Sequence, residues 1–375
     1  MIRVAVVGIG KMGMSHLSMI RAHPEVEVVA VCDSVGYVLD VLAKYTGLTT
    51  FTDYRKMLDS VDADAVLIAT PTASHVDLVR DALDRGLHVF CEKPLTLSAA
   101  DSVELAELAR SFGLVTQVGY HNRFVGAFQE VKRLLDSGAI GTVSHAFAES
   151  YGPVVLRPKG STWRSKRTTG GGCLYDYAAH PLDLLTWYLG EPVSAGGTII
   201  GSIFSAETDD EVYSSLRYPG EVSAQLSVNW SDESHRKMTT KVTLWGTRGK
   251  IVADRQECQV YLRDTAEPPE GFRHGWNVRY TTELTSPVWF YLRGEEYSAQ
   301  LDHFVRSISG GGGDGQNDFA SAAATDRVIE MLTRSAAAGD SAQEPAAPLS
   351  QAPQLPGPPA RRWPFARRHL SPSSR

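Results

Sequence analysis

The sequence predicts an α/β protein: first a doubly wound parallel sheet, then an α/β domain built on an open, largely antiparallel sheet. Three observations carry this reading. The first third alternates apolar runs of strand length with amphipathic stretches of helical length, the rhythm of a parallel sheet covered by crossover helices. Its first strand runs into three glycines in G-x-G-x-x-G spacing, ahead of a helix. From about His121 the pattern changes to alternating runs, which suit an antiparallel sheet with one face in water.

Taken in order, strands are expected at Ile2–Val7, Val28–Cys32, Ala65–Ala69, His88–Cys91 and Val115–Val118. Helices separate them at Met12–Ala22, at His75–Arg85 with Ser74 as cap, and at Ala99–Phe112 with Ser98 as N-cap. A helix near Phe128–Ser137 then leads into "VSHAFAESYG", "EVSAQLSVNW" and "KMTTKVTLWGTRGKIVAD", which read as strands. Two further helical patterns, around Glu295–Ser309 and Asp318–Ala338, flank a flexible "GGGGDG" that starts at Gly310. Beyond Gly339, Pro, Ala, Gln and Ser dominate, and such a segment cannot bury enough apolar surface to order itself. The organisation is therefore a first domain over 1–120, a second over 121–338, and a disordered Pro-rich tail over 339–375.

Composition narrows the function classes. A net charge of -6 argues against a broad nucleic-acid surface, which needs a concentrated basic face. The four cysteines are far apart and form no C-x-x-C pair, which suits a reducing, cytoplasmic compartment. The N-terminus lacks the h-region of a signal peptide, and no run of about 18 apolar residues suggests a membrane span. No His and Cys set has the spacing of a metal site.

In "VAVVGIGKMGMSH", Gly8 permits a tight turn, Gly10 lets backbone approach a pyrophosphate, and Gly13 lets helix pack on strand, with Lys11 and Met12 at the helix start. Unpaired N–H groups at that helix N-terminus face the phosphates. Asp33 lies 20 residues past the last glycine, where a carboxylate accepts ribose hydroxyls and repels a 2′-phosphate. The following "SVGY" supplies no Arg, so NAD is favoured over NADP. The alternative reading of the glycines is a structural turn without a nucleotide.

Two later segments supply chemistry. "VFCEKPLT" ends a strand at the side of the sheet where ligands bind, so Lys93 points toward the nicotinamide region and can favour alkoxide character as hydride leaves. Glu92 beside it fits either a surface ion pair or a cofactor contact. In "GGGCLYDYAAHPLDLLTWYLG", Asp176, His180 and Asp183 share one helical face, which lets a carboxylate orient the imidazole. Pro181 implies a kink or a helix start there. A neutral imidazole suits removal of a hydroxyl proton at neutral pH. A structural histidine is the competing reading. Substrate contacts are expected among Tyr120, His121, Asn122 and Arg123, then Trp163, Arg164 and Tyr177. The basic run "WRSKR" fits a solvated loop better than a phosphate site.

"GIGKMG", "ATPTASHVDLVRDALDRGLHVFCEKPLT", "VGYHNRF" and "GGGCLYDYAAHPLDLLTWYLG", in this order, resemble the glucose-fructose oxidoreductase and inositol dehydrogenase family, Gfo/Idh/MocA, from residue 1 to about Ala338. The resemblance implies a Rossmann domain followed by an α/β domain whose open sheet often forms an oligomer interface. It also implies reversible, NAD-dependent oxidation of a secondary hydroxyl on a sugar or cyclitol. By position it implies Lys93, Asp176 and His180 as the catalytic set, and Thr70, Pro71, His75, Glu92 and Lys93 as cofactor contacts. Two rival functions stand beside it: a non-catalytic regulator that binds NAD and a sugar, and a glycosidase that oxidises its sugar only transiently.

Overall fold

The computed structural model describes residues 1–156, 163–310 and 315–341. Its first sheet contains β1 (Ile2–Val7), β2 (Val26–Cys32), β3 (Thr50–Phe51), β4 (Ala65–Ile68), β5 (His88–Cys91) and β6 (Thr116–Val118). These pair only in parallel, in the order β3-β2-β1-β4-β5-β6. β4 is buried along its whole length, as a strand covered by helices on both faces must be. The covering helices are α1 (Lys11–Arg21), α2 (Gly36–Thr46), α3 (Tyr54–Ser60), α4 (His75–Leu83) and α5 (Ala99–Ser111).

Most strand and helix positions match the sequence expectation within two residues, but α2, β3 and α3 were not anticipated. Only Leu39 and Leu42 of α2 are buried, so that helix carries little apolar periodicity to read. Ser98 accepts the Asp101 amide at 3.3 Å and caps α5 as expected. Ser74 does not cap α4. A 3₁₀ turn at Thr72–Ser74 runs straight into that helix, and the Ser74 hydroxyl instead donates to Pro71 O and Thr70 Oγ1.

The second sheet has eight strands in the order β14-β13-β12-β11-β7-β10-β9-β8. They are β7 (Val143–Tyr151), β8 (Ser194–Gly201), β9 (Glu211–Arg217), β10 (Ser223–Asn229), β11 (Lys241–Gly246), β12 (Gly249–Asp254), β13 (Glu257–Leu262) and β14 (Gly275–Tyr280). Every pairing is antiparallel except β7 with β10, which run parallel at the centre. The inward face, including Ala146, Ala148, Leu226 and Leu244, packs on α6 (Gly126–Asp136) and α7 (Ala179–Leu189).

After the short α8 (Thr281–Leu284), α9 (Glu295–Ser309) returns to the first sheet, where Leu301, Phe304 and Val305 join the core around β1. α10 (Phe319–Ser341) packs on α5, α7 and β8 together, so one helix braces both halves of the molecule. Residues 339–341 continue α10 rather than opening the tail. The rest of the tail expected to be disordered, and residues 311–314 of the glycine linker, lie outside the described residues. The four cysteines are buried and unpaired. Among the described residues no helix is long and apolar enough to cross a membrane.

Candidate active site

The glycine loop after β1 is shaped by backbone contact. Gly8 has φ +85°, and a Cβ there would lie 2.7 Å from Ala69 O. At Gly13 a Cβ would lie 1.7 Å from Gly8 O, so only glycine lets α1 approach the strand this closely. Gly10 faces open space, and no side chain caps the first turn of α1, where Lys11 and Met12 stand. A dinucleotide pyrophosphate fits this cradle: the positive end of the helix dipole points into the space that Gly10 leaves clear. Asp33, at the end of β2, accepts Ile9 N–H at 2.5 Å and Val35 N–H at 2.8 Å, which ties the glycine loop to the ribose side. Each of its oxygens keeps a lone pair for a hydroxyl.

After β4, Thr70 and Pro71 lead into the 3₁₀ turn, and Thr70 Cγ2 lies 2.8 Å from where a Cβ on Gly8 would stand. His75, expected among the cofactor contacts, is fully buried and faces backbone on both sides: Nδ1 lies 3.1 Å from Pro94 O and 3.0 Å from Leu95 O, and Nε2 lies 3.0 Å from Thr70 O. It stitches the Thr70 loop to the segment after Lys93. Glu92 is similarly occupied, with Oε1 2.6 Å from His16 Nε2 and Oε2 accepting Lys93 N–H at 3.2 Å. Burial pushes its carboxyl up, but His16 and Lys93 outweigh this and hold it below the usual range. Gly119 makes room for it, since a Cβ there would lie 3.0 Å from the carboxylate. His16 was missed in the sequence; its signal was a histidine one turn past Gly13 on the cofactor helix.

Lys93 reaches across the cleft to the second half of the chain. Its Nζ donates to Asp176 O at 2.6 Å and to Asp176 Oδ1 at 3.0 Å. Arg164 Nε donates to Asp176 Oδ2 at 2.7 Å, and its guanidinium lies 4.7 Å from the Trp163 ring centre. Burial pushes the Asp176 carboxyl up, yet Lys93 and Arg164 together bring it down to about 2. Asp176 sits in a π-helical turn, Leu174–Ala178, that runs without a break into α7, and Pro181 in that continuous run has no N–H to offer the carbonyls of the π turn.

His180 follows, 3% exposed, with its ring 4.9 Å from His121 and 6.4 Å from Tyr120, both edge-on. Burial drives its pKa well below the ordinary imidazole value, and the charges of Lys93 and Arg255 add to this. One expectation is corrected here: among the described residues no carboxylate orients His180. Both Asp176 oxygens are taken by Lys93 and Arg164, and Asp183 is taken by Arg123. The imidazole is held by neighbouring rings instead, and its Nδ1 is buried without a partner.

The expected substrate residues divide. His121 lies beside His180, stacked on Tyr297 at 4.5 Å, with Nε2 3.3 Å from Arg255 Nη1. Arg164 holds Asp176, and Trp163 lies against the Arg164 guanidinium rather than on the aspartate. Arg123 is withdrawn, 4% exposed, its guanidinium forked on Asp183 and seated over Trp187, because a planar cation buried this deeply needs a planar anion. Tyr177 packs its ring edge-on against Trp230 at 6.1 Å in the core under the second sheet. Among the described residues no three His, Cys, Asp or Glu side chains converge as metal ligands.

Comparison with known proteins identifies the family. Residues 2–120 match the GFO_IDH_MocA family model, described as an oxidoreductase family with NAD-binding Rossmann fold, and residues 128–252 match the GFO/IDH/MocA C-terminal domain. An uncharacterized oxidoreductase, YrbE, of Bacillus subtilis is 27% identical over 70% of this chain and 76% of its own length. The scyllo-inositol 2-dehydrogenase (NAD(+)) of Bacillus subtilis is 30% identical over 56% of this chain, and the match spans 61% of that enzyme. A levoglucosan dehydrogenase solved with NADH and L-sorbose superposes with a TM-score of 0.80 at 22% identity, over 90% of this chain and 97% of that one, a likeness of fold.

Proposed function

The chain belongs to the Gfo/Idh/MocA oxidoreductase family and carries an NAD-binding Rossmann domain, and from that premise we propose that it reversibly oxidises a secondary hydroxyl of a sugar, sugar derivative or cyclitol. The observation that carries the reading is the meeting of Lys93, from the end of a Rossmann strand, with Asp176 beside His180 in the second half of the chain. Bound NAD supplies the hydride acceptor.

His180 is neutral at working pH, so it can take the hydroxyl proton; the imidazolium then formed sits near Lys93 and Arg255, which favours passing that proton on. Lys93 donates to the carbinol oxygen and stabilises its developing negative charge. Asp176 holds Lys93 rather than His180, with Arg164 as its second clamp. Asp33 favours NAD over NADP, because its carboxylate would meet a 2′-phosphate with like charge.

A panel of sugars and cyclitols, followed at the nicotinamide absorbance with NAD and NADP in turn, tests this. At least one polyol should reduce NAD faster than NADP, and His180→Ala should cut turnover roughly a hundredfold or more with NAD affinity nearly intact. A variant within a few-fold of the parent would show that another residue is the base. Ligand-dependent change in cofactor fluorescence without turnover would favour the regulator.

A further inference from the structure

Asp326 lies on α10, far in sequence from the cleft, and is 4% exposed. Its Oδ2 accepts the Ser102 hydroxyl at 2.6 Å and the Thr96 amide at 3.4 Å. Thr96 Oγ1 lies 2.8 Å from the same Ser102 hydroxyl and also receives Ser98 N–H at 3.0 Å. The carboxyl therefore grips the segment that begins at Lys93 from behind, while His75 grips Pro94 and Leu95 from the Thr70 side. Next to it on α10, Thr325 donates to Asp183 Oδ1 at 3.4 Å, the carboxylate that holds Arg123. Two adjacent residues of one helix thus reach both walls of the candidate site.

We propose that Asp326 is a positioning residue for Lys93, acting through Ser102 and Thr96, and that the proton on its carboxyl sets how firmly the 93–96 segment is held. Among the described residues the second oxygen, Oδ1, is buried with no partner, and no cation lies against it. Burial pushes this carboxyl up to about 7, with Asp183 adding to the rise and Ser102, Thr96 and Arg327 opposing it. The other ionisable groups that feel it are Tyr120, Tyr175 and Cys91. Ionised, Asp326 accepts strongly from Ser102 and Thr96; protonated, it accepts weakly, and the lysine segment loosens as pH falls through neutrality. The sign for stability is opposite. The folded state binds this proton more tightly than the unfolded chain, so stability is lost as pH rises from about 4 to about 7.

The test uses the full chain and a readout that needs no substrate. A short acetic anhydride pulse labels lysines across pH 5.5 to 9, and the extent at Lys93 is normalised to exposed Lys56 by peptide mass spectrometry. The ratio of wild type to Asp326→Asn should change at least about threefold, with its midpoint near pH 7. Asp326→Asn should also be as stable as the parent or more so at pH 8, while turning over the best polyol about tenfold more slowly with an unchanged KM for NAD. A merely structural role would lower stability and rate together. Should Asp326→Asn fail to fold, Ser102→Ala decides: loss of a donor to the ionised carboxyl moves the labelling midpoint to higher pH. A pH-independent ratio for Asp326→Asn, or an unmoved midpoint for Ser102→Ala, overturns the proposal. Its significance for catalysis rests on Lys93 belonging to the reacting centre, but the labelling does not. Absence of turnover on every polyol would sink the dehydrogenase reading and leave the labelling result standing.

Discussion

Asp176 and Asp183 stand on one continuous helical stretch, are both buried, and both meet a cation brought from the first part of the chain, yet their surroundings differ in kind. Asp183 is 1% exposed and Arg123 4%, and they meet as two planar groups with the Thr325 hydroxyl beside them. Asp176 is divided between Lys93, a point charge at 12% exposure, and Arg164, at 40%. The first pair is closed on all sides and can only hold structure together. The second is open to the cleft, and its lysine keeps one donor for a ligand. What separates a structural carboxylate from a functional one here is which cation arrives and how much water it still touches.

The largest effect should fall on the closed pair. Asp183→Ala leaves the Arg123 guanidinium buried without its anion, a change that costs about 3–5 kcal/mol in proteins generally. Urea unfolding followed by fluorescence measures it. A loss below about 1 kcal/mol would mean that Arg123 reaches water, and the contrast with Asp176 would dissolve.

Asp176→Asn should behave the other way, with a large kinetic and a smaller structural cost. The amide keeps the shape but removes the charge between two cations, so Lys93 is no longer aimed by an anion. Turnover should fall about a hundredfold, the order seen when one preorganised electrostatic contact is lost. Stability should fall by about 2 kcal/mol, less than at the closed pair, because Arg164 reaches solvent and Lys93 keeps its bond to Asp176 O. Equal losses in the two variants would show that both aspartates are structural.

Local pattern made the cofactor half legible. Gly8, Gly10 and Gly13 are constrained by contacts within one strand-turn-helix unit, so their spacing alone carries their geometry. The pairing of carboxylates with cations was not legible in the same way. Helical periodicity put Asp176, His180 and Asp183 on one face, but it says nothing of what the rest of the chain brings to that face. Lys93 reaches Asp176 across 83 residues and Arg123 reaches Asp183 across 60, and both partners outbid the imidazole because a charge-assisted bond is stronger than a neutral one. The same reasoning hid His16 behind Glu92, and Asp326 behind Thr96. Each is a partnership between residues far apart in the sequence, made only when the chain folds.

The smallest and sharpest test of the open pair is its pH dependence. Lys93 and Arg164 bring Asp176 down to about 2 from an ordinary 3.8 in spite of its burial. A carboxyl depressed on folding contributes stability that is fully present above its unfolded pKa and is lost as pH falls through the folded one. The difference in unfolding free energy between wild type and Asp176→Asn should therefore be flat from about pH 9 to about pH 5, then shrink below about pH 4. Because every other carboxyl titrates alike in the two proteins, the difference isolates this one. If it already shrinks near pH 6, Asp176 is not ionised between two cations, and the distinction from Asp183 loses its electrostatic basis. A flat difference would also mean that any neutral-pH inflection in activity belongs to a different group, and Asp326 is one carboxyl placed to supply it.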